Sequence, residues 1–346
     1  MIIAPLTSIW GLDTERSYEP VLMTVLSFFL IFFLIEFNLV KAIRFPYFKN
    51  SRGVINCLAW ISVGYLIAWS IISGAVFNIN FNPNLVYDFR DENSSMIDIG
   101  FLNYLNIWTY KFFTIFLFLI ALSRRRYFLA GSILLIQVYF YGITAHKLVF
   151  FLPFFAFGVW YYFSRTKSLI VLPIAYNVIV LIAFFLYLVF QIDLIAAMMI
   201  RRVFYVPAAL SFEWFSFFES NPKTYWSDSI LSSFLEYPYS AKLPFVVGNH
   251  LLGPELGANN GYVSSGFAQA GYMGVVIYSA LLALIVKQLD SISKDGVPMW
   301  LTVALTIGPL RTAISDSDLL TAILSHGIFV AFIILILYRE KVPSFK

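Results

Sequence analysis

The sequence predicts an all-α, polytopic integral membrane protein of about nine transmembrane helices (8–11), with a large outer loop carrying short amphipathic helices. Three observations carry this. Hydrophobic residues make up 60% of the chain and charged residues only 12%, against roughly a quarter charged in soluble domains. Mean hydropathy is +0.81. Apolar residues also run on without the alternation of a β-barrel strand, for the ~20 positions that cross hydrocarbon as a helix. A soluble enzyme, a disordered chain and a nucleic-acid binder are thereby excluded. The 37 Phe and 21 Tyr suit lipid-facing positions, which accept any apolar side chain.

Nine segments have spanning character: roughly 21–43, 54–79, 103–122, 127–145, 148–163, 168–190, 266–286, 298–314 and 319–338. The fifth and eighth are short enough to tilt, kink or re-enter. Basic residues set orientation in such proteins. On one side lie Lys41, Arg44, Lys49 and Arg52, then Arg124, Arg125 and Arg126, then Arg165 and Lys167, then Lys287 and Lys294, then Arg339, Lys341 and Lys346. The short segments of the other side hold only Arg16, Arg90 and Lys147, and acidic Asp88, Asp91, Glu92 and Asp98 cluster there. This places the N-terminus outside and the C-terminus in the cytoplasm. Asp13, Glu15 and Glu19 near the start argue against a cleavable signal. The single Cys57 allows no disulfide within the chain.

The whole of 1–346 reads as one polytopic domain, interrupted by an outer segment at 191–265. Segments this long are functional or disordered, and its Trp, Tyr, Phe and Pro content argues for order. Arg201 and Arg202 sit beside the interface, where two guanidinium forks suit a lipid-linked phosphate or pyrophosphate. Headgroup binding and snorkelling explain them as well. His146 and Lys147 lie at the outer junction of spans four and five, where a cap and an exposed Lys are the plain alternative. Arg311 follows Gly308-Pro309, a pair expected to break the helix, and Asp316 and Asp318 offer it an ion pair. Asp316-Ser317-Asp318 alone is an incomplete metal site, and no metal or cofactor is implied. Lys111 and Glu36 are intramembrane charges; Glu36 is expected to pair with Lys41, whereas Lys111 needs a partner or a cavity. Trp214, Phe215, Tyr225, Trp226 and Tyr239 suit sugar stacking or interface anchoring equally. No zinc-protease spacing, nucleophile elbow or phosphate loop occurs.

The stretch Asn259-Asn260-Gly261-Tyr262, followed by Phe267-Ala-Gln-Ala-Gly271-Tyr-Met-Gly274, is similar to the His-Asn-x-x-Leu…Glu-x-Gly-x-x-Gly segment of bacterial O-antigen ligases and polymerases. The run from Arg201 through Tyr205 to Pro207, and Tyr237-Pro238 after it, resembles the large periplasmic loop of Wzy-type O-antigen polymerases. Ala145-His146-Lys147 resembles a junction of the same family. The resemblance covers residues 140–290 in motif and the whole chain in topology.

The resemblance implies a glycosyltransferase of the bacterial inner membrane, with a periplasmic N-terminus. It would join undecaprenyl-pyrophosphate-linked oligosaccharide repeat units into O-antigen, capsule or exopolysaccharide, with a chain-length regulator as a possible partner. The departing pyrophosphate calls for fixed cations: Arg201, Arg202, Arg311 and, in support, Lys147. The acceptor hydroxyl calls for a base. Asn259 stands where the ligases have His and cannot take a proton, so His250 is preferred to Glu255. Gly271 and Gly274 are expected to permit close helix packing. Two other readings stay open: an O-antigen ligase or another polyprenyl-donor transferase, and a transporter or flippase of lipid-linked sugars, which would concentrate charge and broken helices at the midplane.

Overall fold

The computed structural model describes residues 3–81, 89, 93, 96–97, 99–166, 168–253 and 256–339. Asp88, Arg90, Asp91, Glu92, Asp98, Lys167, Glu255, Lys341 and Lys346 lie outside the described residues. Among the described residues, regular structure is helical throughout. Seven helices are long and apolar enough to cross a membrane: Glu19–Glu36, Ser51–Ile72, Phe101–Ser123, Tyr127–Thr144, Val171–Phe190, Tyr262–Lys294 and Leu319–Tyr338. Lys147–Phe163 and Met299–Ser315 have 17 residues each, about 26 Å at 1.5 Å per residue. Each is one residue shorter than the shortest of these seven, so length and composition identify seven candidate spans where nine are expected.

The chain divides into two compact units. The first is built from Met1–Ala42, Ser168–Gln288 and Leu310–Ala322. It begins with α1 (Ile3–Leu12) and α2 (Glu19–Glu36). Pro20 enters the first turn of α2, where its missing N–H costs nothing. Pro20, Val21, Thr24 and Ser27 are buried on one helical face, while Leu22, Leu26, Phe29 and Phe32 are exposed on the other. The helix stops at Glu36 and Asn38 takes a left-handed φ of 53°. Residues 37–43, expected within the first span, are therefore not helical. No ion pair joins Glu36 to Lys41; instead Lys287 donates to Ile35 O at 3.2 Å and Asn38 Oδ1 at 2.7 Å.

The same unit contains the 191–265 segment, whose described residues include three helical stretches. A ten-residue π-helical stretch, Ala196–Tyr205, leads into a 15-residue helix, Val206–Ser220, and a ten-residue helix, Leu243–Leu252, follows. The middle helix buries Phe212, Trp214, Phe215 and Phe218, so it is part of the unit's core rather than a surface flap.

Residues 262–294 form two helical arms. Ala270 (φ −147°, ψ 31°) and Gly271 (φ 61°, ψ −141°) break them, and only glycine tolerates the second conformation cheaply. The first arm folds back on the second: a Cβ at Gly274 would lie 1.9 Å from Gly266 O. Two anchors set the depth of the second arm. Tyr272 OH donates to Glu19 at 2.5 Å, and Lys287 reaches Ile35. The intervals 19–35 and 272–287 each span roughly 23 Å by helical rise, so the second arm runs parallel to α2. The first arm is buried at every residue from Gly261 to Gln269. It ends at Tyr262, whose hydroxyl meets Ser27 Oγ at 2.6 Å, and Ser27 meets Ser279 Oγ at 2.7 Å. That contact is eight residues along α2 from Glu19, about 12 Å down. The expected span 266–286 therefore straddles the turn, and of the two arms only the second is long enough to cross a membrane.

The second unit comprises Ile43–Lys167, Leu289–Pro309 and Ile323–Lys346. Its most buried candidate span is Phe101–Ser123. A π-turn at Thr109–Phe113 interrupts this helix. A π-turn displaces the backbone ladder, and the buried Gln137 covers Tyr110 O from its Nε2 at 2.8 Å. Gly327, at φ 90°, separates Leu319–Leu324 from Ile328–Tyr338 and lets Phe112 approach to 2.1 Å of where a Cβ would be. At the end of that helix Arg339 is buried, pairs with Asp295 at 2.8 Å, and donates to Phe45 O and Pro46 O. Such a charge is tolerable because its N–H groups are satisfied. The helix expected to break at Gly308-Pro309 instead runs on from Met299 to Ser315 with Pro309 inside it. In transmembrane helices the carbonyl that such a Pro frees can be satisfied by neighbouring groups, so a Pro need not end the helix.

Candidate functional site

The richest polar constellation forms in the first unit, where residues 222–228 dock against the fold-back arms. Thr224 N donates to Ala268 O at 3.1 Å and Tyr225 N to Gln269 O at 2.8 Å. Gln269 is 2% exposed. Its Oε1 accepts from Thr224 Oγ1 and from Trp226 N, both at 2.6 Å, and its Nε2 donates to Asp228 Oδ1 at 3.3 Å. Two donors fix which end of the amide faces them, so the NH₂ must face the carboxylate. Tyr225 and Trp226 both hold left-handed φ, 48° and 59°, a strained turn for bulky residues.

Trp226 Nε1 donates to Tyr278 OH at 2.9 Å, and Tyr278 donates to Asp318 Oδ2 at 2.7 Å. Asp318 Oδ1 caps the helix at Leu319–Leu324 through Leu320 N and Thr321 N. Burial pushes the Asp318 carboxyl above the usual range, against those hydrogen bonds, and the Asp228 charge adds to the push. Near the turn, Lys223 donates to Phe218 O, and its ammonium lies 3.9 Å from the Phe267 ring centroid. Burial holds that ammonium below the usual lysine range, opposed by Glu219 and Glu19.

A groove of ≈ 460 Å³ runs between α2 and the second arm, lined by Met23, Leu26, Phe29, Leu30, Phe33, Tyr272, Val275 and Val276, with Ser27 and Ser279 as its hydroxyls. Its rim residues Leu26, Phe29 and Val276 are exposed, so it opens sideways from the helix pair.

The residues singled out from the sequence are placed as follows. Arg201, Arg202 and Tyr205 lie on the π-helical stretch and are exposed. Neither arginine makes an ion pair or side-chain hydrogen bond among the described residues. Arg311 pairs with Asp316 at 2.7 Å, the plain alternative for that cluster. His250 lies on the helix Leu243–Leu252, exposed, with its ring edge-on to Phe217 at 5.4 Å. Asn259 is exposed. Asn260 is buried and bonded to Ser211 Oγ, Ser264 Oγ and Gly261 N. Tyr262 is buried against Ser27. These all belong to the first unit. Lys147, exposed at the start of its helix, belongs to the second. Among the described residues no hydrogen bond or ion pair links His250 to Asn259 or to an arginine.

Two of the expected stacking aromatics are committed elsewhere. Trp214 donates to Ala258 O, and Phe215 stacks on Phe267 with centroids 4.1 Å apart; both are buried. Tyr225 remains exposed. Asp228 and Gln269 were not singled out from the sequence. Their one signal was that Gln269 stands where the resembled motif has Glu. Asp316 and Asp318 serve different partners, and no cluster of three His, Cys, Asp or Glu suited to a metal occurs among the described residues. No family model, curated protein or solved structure matches this chain.

Proposed function

We propose that the chain is a membrane glycosyl-polymerase. It joins polyprenyl-pyrophosphate-linked oligosaccharide repeat units on the outer face of the bacterial inner membrane. The observation that carries this reading is a single unit holding four things: a sideways-open apolar groove, two exposed arginines without partners among the described residues, a buried hydroxyl–carboxylate network, and the whole Asn259–Gly274 stretch that resembles O-antigen polymerases. A polyprenyl tail needs lateral access from lipid, and its pyrophosphate needs fixed cations. In this reading the two 17-residue helices cross as well, giving nine spans. The N-terminus is periplasmic, the turn at 270–271 faces the periplasm, and the C-terminus is cytoplasmic. Undecaprenyl pyrophosphate is the carrier, and a chain-length regulator is the expected protein partner.

Deleting the gene is expected to collapse the surface-glycan ladder to a single repeat unit, and complementation to restore it. Loss of all lipid-attached glycan with build-up of lipid-linked polymer would mark a ligase. The transporter reading draws on the second unit, where the π-turn carrying Lys111 and the break carrying His326 meet through Phe112 and Gly327. Build-up of single units on the cytoplasmic leaflet would favour it.

Orientation has its own test. Cys57 is the one cysteine of the sequence. In a Cys57→Ser background, Ser232→Cys is expected to react with a membrane-impermeant maleimide in intact spheroplasts, and Ser164→Cys only after lysis. The reverse pattern would overturn the orientation.

A further inference from the structure

We propose that Asp228 takes the proton from the acceptor sugar hydroxyl, and that Gln269 is the positioning residue that holds it for that task. This rests on the polymerase reading and assigns its base. Asp228 is exposed, and only its Oδ1 is engaged, by Gln269 Nε2 at 3.3 Å; Oδ2 has no partner among the described residues. The holder is itself held. Thr224 and Trp226 saturate the Gln269 carbonyl, so the amide cannot turn away from the carboxylate without setting its NH₂ against two donors. An exposed carboxylate locked by a buried amide is costly to build as decoration, because a buried amide must be fully bonded.

Two further observations point to a ligand. Ser227, between Trp226 and Asp228, is 3% exposed and its Oγ has no hydrogen-bond partner among the described residues. Buried hydroxyls are seldom left unbonded, and this one wants a partner that the described residues do not supply. Tyr225 of the same turn is 54% exposed, a ring face suited to an apolar sugar face. The second carboxylate, Asp318, stands behind Tyr278 and feels the charge of Asp228. Two carboxylates in unlike environments, one open to solvent and one enclosed, are the arrangement that separates proton acceptor from supporting acid.

The step balances. The acceptor oxygen forms the new bond to the anomeric carbon, and its proton passes to Asp228 Oδ2. The anomeric carbon–oxygen bond to pyrophosphate breaks, and its electron pair leaves on the phosphate oxygen.

The test uses the full-length protein in membrane vesicles with lipid-linked repeat units. Asp228→Asn keeps the shape and a hydrogen-bonding oxygen while removing the base. It is expected to lower kcat at least ~100-fold, within the usual worth of general base catalysis, with KM and the amount of inserted protein unchanged. Asp228→Glu is expected to recover part of that loss, and Gln269→Ala to lower kcat about tenfold, in keeping with a base held less firmly. An Asp228→Asn enzyme within threefold of wild type, or one that loses only protein level or KM, would make the contact a structural clasp and end the proposal. If the wild-type protein does not elongate the units at all, the polymerase reading falls, and the base assignment with it.

Discussion

Gly274→Ala is expected to cost the protein about 3 kcal/mol or more, at the upper end of what overpacking does, and to lower its thermal midpoint in detergent. The new Cβ would sit 1.9 Å from Gly266 O and 2.8 Å from Gly266 C. Both are backbone atoms of the facing arm, so no side-chain rotation relieves the clash. The arms must separate, and with them go the contacts of Tyr262 with Ser27 and of Gln269 with residues 224–228. Gly64→Ala is the matched control. It lies inside the helix Ser51–Ile72 with nothing within 4 Å of the added carbon, and alanine is favoured over glycine in a helix by up to ~1 kcal/mol. Equal midpoints for the two variants would mean that the arms do not pack as described.

Replacing Arg201 and Arg202 together by Ala is expected to abolish polymer while leaving the protein's amount and midpoint unchanged. Both are exposed and bonded to no other described residue, so their loss should move stability by no more than ~0.5 kcal/mol. In the proposed reaction they meet the charge that develops on the departing pyrophosphate, and deleting such a group costs roughly 100- to 1000-fold in rate. Lysines at both positions should restore only part of the activity, since a point charge lacks the planar fork. Arg311→Ala should also stop elongation. Its exposed pair with Asp316 makes little demand on stability, as such pairs contribute ~0–1 kcal/mol. A full ladder in any of these variants would remove that residue from the site.

The class of fold was legible because hydrocarbon makes one demand, a sustained apolar run, and that demand is written in composition. The close packing expected of Gly271 and Gly274 is present at Gly274, because small residues have few other uses in apolar helices; Gly271 instead supplies the left-handed turn between the arms. The fold-back was not legible. Residues 266–269 fall inside the expected span because a hydropathy window sums side chains without sensing direction. The expected break at Gly308-Pro309 erred in the opposite sense, because local propensity ignores neighbours that can re-satisfy a freed backbone group. The Asp228–Gln269 contact joins residues 41 positions apart, and nothing local to either marks it. Orientation of helix faces was hidden too. On Val171–Phe190 only Ala183 is buried, and its lipid-facing positions are as apolar as any core.

The fold-back arm also fixes an order of assembly. It carries Ser264, Ser265 and Gln269 fully enclosed in protein, so hydrocarbon alone is no resting place for it. Part of its seat is made earlier, on Thr24, Ser27 and Ser211, but part is made later. Gly261 lies against the backbone of Ile314, and Tyr278 completes its bond on Asp318. A nascent chain that has reached Lys294 therefore has its arm synthesised but only partly seated. The seat is complete only when the stretch through Asp318 has been made. Its docking is a late event of biogenesis, and the interval before it is when quality-control proteases would find the chain most open.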